Sequence, residues 1–303
     1  MKLYPLKLKV IYNQTIWQND NIKKIRHLSE CAGTSWEVSA HSFADNEILN
    51  GQFKGETLTS LIKAYPQDTL GKFELKDMLR AALLDAKDSL SIQVHPDEDY
   101  AMQHESDHGK TEAWYIIEAK ANATLVAGIN LNSVSAIKKA VEEDSIENYV
   151  NNVPVKKGDF VLIPAGMLHA LGAGILAIEI GTNSNTTYRF YDYHRQDAQG
   201  NQRPLHLKKS LDVVNCDYTT KIVTGPGKVL DDEFVVEIID EPSYCLHPNQ
   251  ETFYIVTNLD KDMTYTYQNE VYQFAYLESM FIPSNCDEIV FNSNTRLLLS
   301  YRK

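Results

Sequence analysis

Long apolar runs are missing from this sequence: no stretch approaches the ~20 consecutive apolar residues of a membrane helix, so a spanning helix is not expected. Cysteine is scarce. Cys31, Cys216, Cys245 and Cys286 are the only four in 303 residues, and no C-x-x-C spacing occurs. A disulfide framework is therefore not expected, and reduced thiols in a cytoplasmic protein are. The N-terminus, MKLYPLKLKVIYNQTIW, lacks the basic segment, apolar run and small-residue cleavage site of a secretory leader. Positive charge is in short supply as well: Lys and Arg number 29 against 41 Asp and Glu, the net charge is −12, and no long basic cluster forms. That balance argues against a nucleic-acid surface. It also sets a condition, because an anionic ligand would be repelled by the general field and a phosphate site has to gather several cations locally. No G-x-S-x-G elbow occurs and no cysteine lies in a recognised catalytic Cys–His signature, so nucleophilic catalysis has no support.

What is present is globular. Hydrophobic residues make up 43% and charged residues 23%, and the length suits about two domains. WEVSAH (36–41), SLSIQVH (89–95), AWYIIEA (113–119), DFVLIP (159–164), ILAIEI (175–180) and TYRFYDY (187–193) are rich in β-branched and aromatic residues and read as strands. Apolar spacing of three to four residues predicts helices over 56–65, 133–144 and 206–214, while 74–86 fits helix or strand equally. KGDFVLIPAG, Lys157 to Gly166, is echoed by LESMFIPSN, Leu277 to Asn285, which suggests an internal repeat. The predicted class is mainly β: two jelly rolls with a few inserted helices. TGPGK marks the break between them, giving residues 1–220 and 221–303. His169 lies five residues after Pro164, whereas Glu288 lies five after Pro283 with no histidine near it in sequence, so metal ligands are expected only in the first part.

Gly158, Pro164, Gly166 and His169 fit the second cupin motif, G-x5-P-x-G-x2-H, at every spacing. The glycines and proline turn the chain into and out of a strand and deliver the histidine to the mouth of a barrel. Gln93 and His95, two apart on a strand, project from one face. With Glu112 and His169 they make an N2O2 set suited to Zn2+ or another borderline divalent ion, one per chain. His104 and His108, among Glu105 and Asp107 in a polar loop, read as solvated residues rather than ligands, and Tyr188, Tyr191 and Tyr193 as packing residues.

SIQVHPDEDYA, HGKTEAWYI, GDFVLIPAGMLHALGAGI and TTYRFYDY resemble, in order, the signature blocks of type I mannose-6-phosphate isomerases, and WEVSAH is similar to a further block. The resemblance covers about residues 8–215. It implies a zinc ion on Gln93, His95, Glu112 and His169, and interconversion of mannose 6-phosphate and fructose 6-phosphate through an enediol. It also implies catalytic roles for Lys110 and Arg189, phosphate contacts from Ser91 and Arg195, and a small-molecule sugar phosphate as the partner of a monomer or homodimer. One departure is Ala82, where the family carries a lysine. If 78–84 is a strand, Arg80 shares a face with Ala82 and reaches the substrate site from one pleat away. A second departure is EIGTNSN, Glu179 to Asn185, which implies an effect on ring-opening or specificity. The alternative to an enzyme is a cupin that binds a sugar phosphate without turning it over; a metal dioxygenase or epimerase fits the blocks less well.

Overall fold

The computed structural model describes residues 1–303 except Ala198, Lys221, Pro226, Asp232, Ser293 and Asn294. Every expected strand forms. The ambiguous segment resolves into a short 3-10 turn, Leu75–Asp77, and a strand, Leu79–Ala86. All eight residues of that strand are buried, so alternation, the usual mark of a strand, is absent from its sequence.

Two facing sheets build the first jelly roll. In its large sheet the central neighbours are Asp159–Ile163, Glu112–Ala119, Ile175–Thr182 and Leu79–Ala86; in its small sheet they are Val150–Pro154, Thr124–Ile129, His169–Ala170, Ile92–Val94 and then Tyr188–Tyr191. The second roll repeats this order. Its large sheet runs Ser279–Ile282, Tyr254–Asn258, Thr295–Arg302, Phe234–Glu241, and its small sheet Glu270–Phe274, Met263–Tyr267, Ile289–Asn292, Tyr244–Leu246. The two stretches that echo each other in sequence, 157–166 and 277–285, occupy the same strand of the two rolls. Two strands cross the expected division at 220/221: Leu6–Lys7 pairs with Ser279–Ile282, and Ile222–Thr224 pairs with Asp159–Ile163.

The large sheets face each other. Leu79, Leu83, Tyr115 and Phe160 of one share a continuous core with Phe234, Ile255, Phe281 and Leu298 of the other. Burial on that face and on the roll's own interior explains why these strands are apolar throughout. The small sheet of the first roll is covered outside by helices Val134–Glu142 and Leu207–Val213, with Tyr188 and Tyr191 packed beneath them as expected. Helix Glu98–His104 lies in a stretch read as loop; Asp97 caps it by accepting from Tyr100 N–H at 2.8 Å. No helix among the described residues is long and apolar enough to cross a membrane. All four cysteines are free.

The interiors of the rolls differ. Aromatic side chains, among them Tyr265, Phe274 and Phe291, fill the second. The first keeps a polar end.

Candidate metal centre

Three segments deliver the polar end of the first roll. His169 and Gln93 are direct cross-strand partners, so both point inward from the small sheet. Glu112 opens its strand in the facing large sheet, opposite Ile163 and Gly181. The Pro164–Gly166 turn locks these pieces together: Gly166 N–H donates to His95 O at 2.8 Å and Ala165 N–H to Thr111 Oγ1 at 3.2 Å. Gly166 has φ +88°, and a Cβ there would stand 3.1 Å from Val213 O, so the motif glycine is required by both strain and space.

His95, Glu112 and His169 are each fully buried, and their ligand atoms lie within 4.8 Å of one another. Both rings are oriented by a carbonyl: His95 Nδ1–H donates to Thr186 O (2.9 Å) and His169 Nδ1–H to Met167 O (2.8 Å). A carbonyl only accepts, so each Nδ1 carries the proton and each Nε2 presents a lone pair toward the centre. Those nitrogens sit 3.5 Å from the Glu112 oxygens. Neither His95 Nε2 nor either Glu112 oxygen makes a well-formed hydrogen bond, although Lys110 Nζ stands 2.5 Å from Oε2. Buried donors left in this state fit a divalent cation, which would satisfy all of them together. Gln93 Nε2 lies 3.3 Å from His169 Nε2, and Ser91 Oγ donates to Gln93 Oε1 at 3.4 Å; a half-turn of the amide exchanges its oxygen and nitrogen.

Protonation suits the same purpose. Burial, then the charge of His95, lowers His169 to about 3. Burial, then Lys110, also lowers His95. Burial alone would raise Glu112, but Lys110, His95 and His169 outweigh it and hold the carboxyl well below its usual range. The set is two neutral imidazoles and one carboxylate.

A chain of buried charges extends from this centre. Lys110 Nζ also reaches Glu179 Oε1 at 3.2 Å, and Glu179 pairs with Arg80. Arg80 donates to Ser184 O at 2.6 Å and stacks 4.3 Å from the Trp36 ring centroid. Ala82 sits on the same face, in apolar contact with Trp36 and Ala44, so the cation at this wall comes from Arg80. Arg189 and Arg195 are placed elsewhere. Arg189 is the cross-strand partner of Gln93 and donates to Pro204 O at 2.9 Å, while Arg195 pairs with Asp192 and donates to Ser89 O at 2.5 Å.

Some expectations need correction. The polar loop is tied down at Asp107: its Oδ2 accepts from Asn185 N–H (2.8 Å) and Thr186 Oγ1 (3.0 Å), and its Oδ1 from His108 N–H (2.8 Å), with His41 Nε2 at 3.2 Å. It thereby holds the turn whose carbonyl orients His95. Glu105 accepts from Tyr188 Oη at 2.8 Å and pairs with Lys209. Glu288 does have a histidine nearby in space, His247 Nδ1 at 3.5 Å, with Cys245 beside it on the outer face of the second roll; His247 and Glu288 are largely exposed. In the sequence Glu179 stands out only as the start of a variable stretch; the signal for a functional role is a lone carboxylate within the apolar run ILAIEIG. Arg203, which also pairs with Asp192, carries no local signal. A cavity of about 430 Å3 among Lys76, Asp77, Glu98, His108 and Arg302 touches Lys110 but none of the four expected ligands.

Comparison with known proteins decides the family. The model of the type I phosphomannose isomerase catalytic domain matches residues 6–120, and the chain is 30% identical over 315 residues to the mannose-6-phosphate isomerase ManA of Bacillus subtilis, covering 99% of this chain and 100% of that one. The chain belongs to the type I phosphomannose isomerase family. A mannose-6-phosphate isomerase of Streptococcus mutans is 36% identical over 214 residues, 69% of this chain and 67% of that one. The crystal structure of the Bacillus subtilis mannose 6-phosphate isomerase superposes with TM-score 0.89 at 27% identity, covering 98% and 99% of the two chains. As in that phosphomannose isomerase, the match spans both rolls. The chain is thus an enzyme of this family over its full length, including the C-terminal part where the sequence resemblance was weak.

Proposed function

We propose that this sugar-phosphate isomerase interconverts mannose 6-phosphate and fructose 6-phosphate by moving a proton between C1 and C2 through an enediol. One divalent ion, Zn2+ or a similar borderline cation, would be held by Gln93, His95, Glu112 and His169. The observation that carries the reading is the convergence of three buried, deprotonated side chains, with His95 Nε2 and both Glu112 oxygens lacking a well-formed hydrogen bond, beside a Lys110–Glu179 ion pair. When bound, the ion supplies a Lewis acid that polarises the sugar oxygens.

The side chains do the rest. Lys110 and Glu179, in contact with each other and, through Lys110, with Glu112, provide an acid and a base for carrying the proton. Arg80 fixes the direction of the Glu179 carboxylate. Arg189, beside Gln93, offers charge stabilisation to the substrate, and Ser91 with Arg195 the phosphate contacts. Trp114, whose ring stands 5.6 Å from His169, gives the centre an apolar wall that strengthens these interactions.

Ala82 motivates a second reading, a sugar-phosphate-binding protein without turnover, because its side chain offers no charge where the family has a lysine. A coupled assay for fructose 6-phosphate formation on metal-loaded protein separates the two. Product formation supports the enzyme; thermal stabilisation by mannose 6-phosphate with no product would select the binding protein.

A further inference from the structure

Beside the strand that bears Gln93 lies a group of charges larger than a structural bridge requires, and its assignment to a ligand rests on the sugar-phosphate reading. Asp192 is 5% exposed. Arg203 grips it with two hydrogen bonds, Nε to Oδ2 at 2.7 Å and Nη2 to Oδ1 at 2.6 Å. Arg195 adds Nε to Oδ1 at 3.2 Å and pairs through Nη2 with the same oxygen. The chain is bent sharply to allow this. Tyr193 and His194 both take positive φ, 54° and 53°, a conformation that costs non-glycine residues energy and persists where surroundings impose it. The bend returns Arg195 to Asp192, whose carbonyl accepts from Arg195 N–H at 3.0 Å.

Arg189 completes the group. Its Nε is buried without a partner. Burial, then the neighbouring charge of Arg203, pulls its affinity for its proton down, with Arg195 contributing in the same direction. One carboxylate would balance one guanidinium. Here three guanidiniums face Asp192, the only ion-pair partner that Arg195 and Arg203 have among the described residues, which leaves two positive charges over in a chain of net charge −12. A phosphate monoester at neutral pH carries nearly two negative charges and matches guanidinium forks geometrically.

The group is also in the right place. Arg195 Nη1 donates to Ser89 O, Ser91 donates to Gln93, and Arg189 is the cross-strand partner of Gln93. Ser91 lies one side-chain repeat, about 7 Å, from Gln93 along the strand, a span of the order of an extended six-carbon sugar. We propose that Arg203 is a phosphate-binding residue, the third cation of a subsite in which Asp192 holds Arg195 and Arg203 at fixed spacing for the phosphate dianion of the sugar.

The test uses the metal-loaded, full-length protein, wild type, R203M and R203K. Calorimetric titration with inorganic phosphate gives a Kd independent of turnover; steady-state kinetics with mannose 6-phosphate give KM and kcat. R203M is expected to raise the phosphate Kd and the KM together by roughly 10- to 100-fold, the loss of one charged hydrogen-bonded pair, with kcat changing far less. R203K keeps the charge but not the fork and is expected to fall between. A merely structural bridge would lower the melting temperature and leave the phosphate Kd alone. An unchanged Kd and KM in folded R203M, or in R203K should R203M not fold, overturns the proposal. An inactive wild type whose phosphate binding depends on Arg203 would overturn the isomerase reading while supporting this subsite.

Discussion

Removing the Arg80 guanidinium tests how the wall opposite the metal centre works. In R80A the Glu179 carboxylate, 7% exposed, keeps Lys110 at 3.2 Å as its only cation among the described residues. Ser184 O loses its donor at 2.6 Å, and the stack on Trp36 disappears. Breaking a buried pair by deleting one partner costs about 3–5 kcal/mol. Because Lys110 remains, the low end applies, about 3 kcal/mol, which for a chain of this length corresponds to a fall in Tm of about 5 °C if unfolding is a single transition. Turnover should suffer more than binding. With its second anchor gone, Glu179 swings toward Lys110 and away from the proton it carries, and misplacement of that kind costs roughly 10- to 100-fold in kcat. Differential scanning calorimetry and a coupled isomerase assay on R80A and R80K would measure both. Wild-type Tm together with wild-type kcat and KM in R80A would refute the reasoning and remove Arg80 from the site.

The same geometry sets two further outcomes. H169A should bind no metal ion tightly yet remain folded, since the second core and the sheet-on-sheet core are untouched; elemental analysis with circular dichroism checks this. Asp107 bears on acid stability. Burial alone would raise it, but His41, the Asn185 and His108 amides and Thr186 hold it well below the usual carboxylate range, so its stabilisation is complete at pH values above its unfolded-state pKa and fades as pH falls through the lower folded-state value. The stability gap between wild type and D107N should therefore be widest near neutrality and close below about pH 4. Because the Asp107 turn orients His95, D107N should also release metal to a chelator roughly 10- to 100-fold more readily.

The jelly rolls were legible because turn residues and β-branched runs mark strands locally, and the echo of 157–166 in 277–285 exposed the duplication. The meeting of His95, Glu112 and His169 was legible for a similar reason: Gln93 and His95 share a strand face, and the turn before His169 needs Gly166 at positive φ. Three things were hidden. Leu79–Ala86 is buried on both faces and so lacks alternation. Asp107 sits in a run of polar residues that reads as solvated until the fold closes the 184–186 turn over it. Arg203 reaches Asp192 only because two left-handed residues, Tyr193 and His194, fold the chain back, and neither is a glycine that would announce the bend. Helix Glu98–His104 was readable from its Asp97 cap but is short and polar.

In the proposed chemistry turnover requires one ion held by four side chains. Stripping the protein with a chelator and titrating Zn2+ back while following conversion of mannose 6-phosphate measures this directly. Activity should be abolished by stripping, rise linearly, and break at one equivalent per chain. Undiminished turnover in protein shown to be metal-free, or no turnover at any metal content, would contradict it.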